Sequence, residues 1–256
     1  MTGKDIRLRK FIDENSNNIV LLPIDHGMTL GPIHGIKNME NTLKKLSHTK
    51  VDGIILHKGS VKRNWENLNK ISGLMIHLNA STVLSPDVTF KNLVCTVEEA
   101  ARLGADGVSI HVNLGSDYEA NMLRDLGKVS RECEEWGMPL LAMMYVRGKH
   151  IKTDFQNIKF AARVAEELGA DLVKVDFTGD VESFREVVES CLIPVIVAGG
   201  EKNEHSDLVL QKVTMAMEAG ARGVACGRNV FQNADPVLFA QKLCEVVHKK
   251  YDVTYD

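Results

Sequence analysis

The chain has 256 residues, 44% of them hydrophobic and 25% charged, with a formal net charge of -3. This is the size of one large domain with ample apolar content for a core, and its charge balance excludes a general polyanion-binding signature, so nucleic acid and anionic membrane are poor partners. Met1 to Asn18 has no apolar signal region and no run approaches the ~18 apolar residues of a membrane span, which points to a cytoplasmic protein.

After that polar N-terminal segment, the first β-rich run is Ile19 to Ile24, and it ends in Asp25-His26-Gly27. Further runs are expected at Gly53 to Leu56, ending in His57-Lys58, and at Leu74 to Leu78, ending in Asn79. Asn79 to Asn92 is the longest irregular stretch, placed where an active-site loop would fall. A helix over Thr96 to Leu103 leads to a strand over Gly107 to Val112 that carries His111 and ends at Asn113. The pattern continues with a helix at Tyr118 to Trp136 and a strand at Pro139 to Tyr145, followed by Arg147. Next come a helix at Asn157 to Leu168, a strand at Asp171 to Phe177 and a helix at Val181 to Ser190. Last are a strand at Ile193 to Ala198 before Gly199-Gly200, a helix at Asp207 to Ala219, a strand at Gly223 to Cys226 before Gly227-Arg228, and a helix at Pro236 to Lys249.

Alternating strands and helices favour a parallel sheet, and eight such units in this length suit a single-domain (β/α)8 TIM barrel. A doubly wound sheet would put its Gly-rich loop after the first strand, whereas here the glycines suited to phosphate follow the seventh and eighth. The expected division is an N-terminal extension over 1–18, closing the barrel bottom, and a barrel over 19–256. Phrases such as Gly104-Ala105-Asp106-Gly107 and Gly169-Ala170-Asp171-Leu172 recur where a helix stops before a buried strand. The five cysteines are widely spaced without a C-x-x-C pair and read as reduced core residues.

Barrel enzymes place their chemistry at the C-terminal strand ends. On the sixth strand Lys174 interrupts an apolar run, and a lysine deprived of water is a nucleophile toward carbonyl carbon in its neutral form. The bland alternative is a strand lysine with its head in solvent. Period-two alternation puts Leu172, Lys174 and Asp176 on one face. Tyr145, on the fifth strand, is a candidate acid or base beside Lys174, set against simple amphipathic packing. Asp25 is a candidate proton acceptor, set against helix capping, with His26 beside it as a substrate-binding candidate. Arg147 is a candidate for a substrate anion or a surface ion pair. Gly199, Gly200, Gly227 and Arg228 suit a phosphate, because glycine lets backbone N–H groups approach its oxygens and arginine adds a forked cation. His26, His57, His77 and His111 raise a metal-dependent rival, but without H-x-H, H-E-x-x-H or an acidic cluster the expectation is no metal and no cofactor.

Ile24-Asp25-His26-Gly27, Gly31-Pro32-Ile33-His34-Gly35, Val108-Ser109-Ile110-His111-Val112-Asn113, the run Trp136 to Tyr145, Val195 to Gly200 and Gly223 to Gln232 resemble the archaeal-type class I aldolase family over nearly the whole chain. Within it the likeness is greater to aminoheptulosonate synthases that use aspartate semialdehyde than to fructose-bisphosphate aldolases. The resemblance implies Lys174 as the Schiff-base lysine, Asp25 as proton acceptor, Tyr145 as proton donor, and the four Gly and Arg positions as phosphate-holding. It implies a phosphorylated ketone donor, such as dihydroxyacetone phosphate or a deoxyketohexose phosphate, and an aldehyde acceptor. It also implies a homo-oligomer and a role in aromatic amino acid biosynthesis. Fructose-bisphosphate aldolase activity is the alternative, and a phosphate sensor that has lost its chemistry is a third reading. One departure stands out: the family's Val-Lys-Thr-x-Tyr-Thr-Gly-Asp reads Val173-Lys174-Val175-Asp176-Phe177-Thr178-Gly179-Asp180 here, with Asp176 close to the imine position.

Overall fold

A computed structural model describes residues 3–249. Eight parallel strands close a barrel in chain order: β1 (Ile19–Pro23), β2 (Gly53–Leu56), β3 (Gly73–His77), β4 (Gly107–Leu114), β5 (Leu140–Val146), β6 (Leu172–Val175), β7 (Val195–Ala198) and β8 (Gly223–Ala225). β8 returns to β1, with Gly223 opposite Ile19 and Ala225 opposite Leu21. All eight expected strands are present, and helices connect them as in a TIM barrel.

Strand alternation divides the core into two shells. Ile19, Leu21, Ile55, Met75, Leu141, Met143, Leu172 and Ile196 fill the barrel, while Val20, Ile54, Val108, Ala142, Val173 and Val197 pack outward against the helices. In β4 the outward residues Val108, Ile110, Val112 and Leu114 leave Ser109, His111 and Asn113 facing inward. One strand therefore supplies a polar interior face within a mostly apolar barrel.

The barrel bottom is built from the recurring acidic junctions. Asp52, Asp106 and Asp171 each precede a strand and accept the backbone N–H of Val20, Leu74 and Leu140, at 2.6, 3.0 and 2.8 Å. Before β1 run a helix (Gly3–Leu8) and a 3-10 turn (Arg9–Phe11) whose Phe11 is fully buried in the inner shell. A Cβ on Gly53 or Gly73 would lie 2.6 or 2.4 Å from the Phe11 ring. The glycines that open β2 and β3 thus make room for the aromatic plug. Met1, Thr2 and the last residues of the expected 19–256 barrel, 250–256, lie outside the described residues.

Two expectations need correction. β6 stops at Val175, where its pairing with Val197 ends, so Asp176 and Phe177 lie beyond the strand. The stretch after β3 is not wholly irregular: Asn79–Ala80 and Asn92–Leu93 form a short antiparallel pair that draws its two ends together. All five cysteines are buried and free.

Candidate active site

The C-terminal strand ends enclose a cavity of two adjoining lobes, about 430 and 220 Å³. Lys174, Tyr145, His26, Arg147 and Arg228 line both. Asp25, His57, His77, Asn79, Lys91 and His111 line only the larger, and Asp176, Gly200 and Gly227 only the smaller. All ten sequence-expected residues are therefore at this end of the barrel, with Gly199 contributing through its packing on Cys226 rather than as a wall.

Lys174 registers with Met143 of β5 and Ile196 of β7, deep in the inward face. It is 7% exposed. Its side-chain nitrogen takes part in no hydrogen bond or ion pair with the described residues, and the side chain lines both lobes of the cavity. The snorkelling reading fails on that burial. Asp176 does not compensate it: lying past the strand, it is not within ion-pair distance of Lys174 and contributes to the small lobe alone.

Tyr145 is two residues above the Met143 register, on the same face, and is 9% exposed. Its ring meets His111 with centroids 4.7 Å apart, and the Arg147 guanidinium lies 4.4 Å over it. These contacts fix the ring, and the hydroxyl makes no hydrogen bond to the described residues. Arg147 forms no surface ion pair with them either.

Asp25 precedes the helix His26–Leu30, yet its side chain accepts no capping hydrogen bond. The carboxylate instead faces imidazoles: Oδ1 is 3.4 Å from His26 Nδ1 and Oδ2 is 3.9 Å from His77 Nε2. Burial works against its charge, but His77, His26, His57 and Lys174 outweigh that and hold it well below the usual carboxylate range. Burial pushes His77 down to about 3 despite Asp25, and His111 well below its ordinary value, with Lys91 and Arg147 adding to the shift. His26 and His57 are lowered too, chiefly by burial. At neutral pH the cluster is one carboxylate among neutral imidazoles, which take up protons ahead of Asp25 as the pH falls and so hold its carboxyl low. His77 is further fixed by Ser109 Oγ at 2.8 Å from Nδ1, and His111 by Asn113 Oδ1 at 2.7 Å from Nε2. Among the described residues, no group of three or more His, Cys, Asp or Glu is arranged to hold a metal ion.

At β7 and β8 the backbone is crowded. A Cβ on Gly227 would lie 2.3 Å from the Pro23 carbonyl oxygen, and one on Gly199 2.6 Å from Cys226 Sγ. The Gly200 and Gly227 N–H groups have no backbone acceptor among the described residues. Arg228 Nε is buried without a hydrogen-bond partner, while its Nη2 reaches the Gly200 carbonyl at 3.4 Å. Arg228 Nη1 also lies 3.7 Å from Glu201 Oε1, and open N–H groups beside a guanidinium with an unpartnered Nε make an anion cradle.

Sequence reasoning overlooked Lys91, which is buried on the larger lobe, and Lys212, which donates to the Ala198 carbonyl at 2.9 Å behind the cradle. The signal for Lys91 was its place near the end of the loop after the third strand. No local pattern marked Lys212.

A barrel with a buried, unpaired lysine between a carboxylate lobe and an anion cradle has the architecture of an imine-forming aldolase. Residues 19–233 match the DeoC/LacD family aldolase, and the chain belongs to that family. It is 44% identical over 248 residues to 2-amino-3,7-dideoxy-D-threo-hept-6-ulosonate synthase 1 of Archaeoglobus fulgidus, covering 97% of this chain and 92% of that protein. It is 40% identical over 248 residues to 2-amino-4,5-dihydroxy-6-oxo-7-(phosphonooxy)heptanoate synthase of Streptomyces griseus, covering 96% and 90%. Among solved structures, an archaeal fructose 1,6-bisphosphate aldolase superposes with a TM-score of 0.89 at 30% identity, covering 96% of this chain and 99% of that one. Another, with TM-score 0.88, 30% identity and coverage of 96% and 100%, is an archaeal aldolase whose catalytic lysine is covalently bound to a carbinolamine intermediate.

Proposed function

We propose that this protein is a Schiff-base aldolase that joins dihydroxyacetone phosphate, or a closely related phosphorylated ketone, to L-aspartate semialdehyde. The carrying observation is Lys174 itself: buried, without a polar partner among the described residues, and common to both lobes. The names of the relatives' products support the substrate pair. A heptanoate with hydroxyls on its fourth and fifth carbons, a ketone on the sixth and a phosphate on the seventh divides by retro-aldol chemistry between the hydroxyl-bearing carbons. The halves are aspartate semialdehyde and dihydroxyacetone phosphate. The archaeal relative's product shares the amino acid half.

In this reading the Lys174 amine attacks the donor ketone, water leaves, and the iminium accepts the electron pair released when the adjacent carbon loses its proton. That carbon then bonds to the acceptor aldehyde, and water returns to hydrolyse the imine and free the lysine. Tyr145 exchanges protons with the carbinolamine, and Asp25 exchanges the proton of the new hydroxyl, each contributing about 10²–10⁴ in rate. Gly199, Gly200, Gly227 and Arg228 hold the phosphate, and His26 and Arg147 line the path between the lobes. Asp176, in the phosphate lobe, balances nearby Lys212. The same reading takes the enzyme to act in the cytoplasm, as a homo-oligomer, in aromatic amino acid biosynthesis, without a metal or other cofactor. No helix among the described residues is long and apolar enough to cross a membrane.

Borohydride reduction with dihydroxyacetone phosphate, followed by mass mapping, is expected to label Lys174. Absence of a substrate-dependent adduct, or full activity in Lys174→Ala, would overturn the reading. Parallel assays of fructose 1,6-bisphosphate cleavage and of condensation with aspartate semialdehyde separate the two aldolase activities.

A further inference from the structure

Lys91 is a second lysine in the cavity that the imine chemistry does not use. It is 7% exposed, its Nζ donates to Ser81 Oγ, and it lines the larger lobe. No carboxylate among the described residues lies within ion-pair distance of it. A buried ammonium without a counterion is costly, and burial pushes Lys91 down to about 8, with Arg147 adding to the shift and Asp25 opposing it. The short pairing of Asn79–Ala80 with Asn92–Leu93 holds Lys91 against Ser81, so the fold places this cation deliberately rather than leaving it on a free loop.

Its position is informative. In the closed barrel β3 and β4 stand across from β7 and β8. The Gly200 and Gly227 cradle belongs to one lobe and Lys91 to the other, with Lys174 common to both. A donor whose phosphate sits at β7 and β8 and whose carbonyl carbon is on Lys174 presents its reacting carbon toward the Lys91 side. The acceptor must enter there.

We infer that Lys91 forms a second anion subsite, which recognises the carboxylate of the acceptor aldehyde and selects amino acid semialdehydes over uncharged aldehydes. This inference rests on the function proposed above. A carboxylate fits better than a second phosphate because residues 79–93 contain no glycine to bring backbone N–H groups close. A single ammonium beside one hydroxyl matches a monoanion.

The test measures steady-state kinetics of Lys91→Met and Lys91→Arg, using dihydroxyacetone phosphate with aspartate semialdehyde or with butanal, which lacks the carboxylate. Borohydride trapping on Lys174 by the donor alone reports that each variant is folded. In Lys91→Met the KM for aspartate semialdehyde is expected to rise at least 10-fold while the KM for the donor moves less than about 3-fold. Its preference for the carboxylated acceptor over butanal collapses, and Lys91→Arg recovers part of it. Equal losses on both acceptors, a rise in donor KM, or no change in preference overturns the inference while leaving the aldolase reading standing. Lys91-dependent binding of the second phosphate of fructose 1,6-bisphosphate overturns it in favour of a phosphate subsite. A wild-type enzyme inactive with aspartate semialdehyde overturns both.

Discussion

Phe11→Ala is the sharpest test of how the barrel is closed. The ring is fully buried against strand-opening glycines and among Ile19, Leu21, Ile55, Met75 and Leu141. Its removal forfeits roughly 2–3 kcal/mol of transfer free energy, and a residual cavity of roughly 80–100 Å³ adds about 2 kcal/mol at ~24 cal/mol per Å³. The sum is about 4–5 kcal/mol, or a fall in Tm of roughly 8–20 °C at ~2–4 °C per kcal/mol for a chain near this size. Urea and thermal unfolding read the loss. Because the plug sits at the opposite end of the barrel from Lys174, kcat and KM at a temperature where the variant is folded are expected to match wild type. Gly73→Ala offers the converse, since its Cβ would meet the ring at 2.4 Å; overpacking costs about 1–3 kcal/mol. Combined with Phe11→Leu, part of that cost should be relieved, giving a coupling of at least ~0.5 kcal/mol. A loss below about 1 kcal/mol for Phe11→Ala, or additive effects in the pair, would refute the view that the N-terminal turn is integral to the barrel.

Other expectations follow from the site and its surroundings. Tyr145→Phe keeps the ring between His111 and Arg147 but removes its hydroxyl, so turnover should fall about 10²–10⁴-fold with the fold intact by circular dichroism. Gly227→Ala forces a Cβ onto the Pro23 carbonyl, so the KM of the phosphorylated donor should rise far more than that of the acceptor. Burial pushes the Cys95, Cys133 and Cys244 thiols up to about 12 and those of Cys191 and Cys226 to about 11, so Ellman's reagent at pH 8 should label all five only after denaturation. His77 titrates below its unfolded value, so the unfolded chain binds a proton that the native one refuses as pH falls from about 6.5 toward about 3. Stability should decline through that window by about 1.4 kcal/mol per pH unit for this group, and urea midpoints of His77→Gln should show a correspondingly shallower slope.

Much of this was written locally in the chain. Runs of β-branched and aliphatic residues marked the strands, three of them after Gly-Ala junctions, and the count of strands gave the barrel. Lys174 and Tyr145 were legible because a polar residue within an apolar strand is rare enough to notice, and strand order put them side by side. What stayed hidden depended on contacts between distant segments. Lys91 is buried where two short segments, Asn79–Ala80 and Asn92–Leu93, pair antiparallel, and nothing periodic announces that. Asp176 looked like a face-mate of Lys174 until β6 ended at Val175, since period-two alternation holds only while the strand continues. The histidines were visible as residues, but their neutral state depends on burial that composition does not report.

That neutral state bears on what Asp25 does. With its imidazole neighbours uncharged, Asp25 is the anionic carboxylate among the histidines of the larger lobe, and with no helix cap to occupy it the carboxylate is available to the substrate. Asp25→Asn preserves shape and removes both charge and basicity. If Asp25 serves the hydroxyl formed in the carbon-carbon step, the variant should still form the imine, so borohydride with dihydroxyacetone phosphate should still label Lys174, while condensation slows by about 10²–10⁴-fold. The depressed carboxyl also predicts that wild-type activity shows no acidic limb near pH 4 from this group, because Asp25 remains ionised below the usual carboxylate range. Loss of the trapped adduct in Asp25→Asn would place the carboxylate's action on the lysine instead. The histidine cage would then serve to hold a counterion for the ammonium rather than to expose a base to the new hydroxyl.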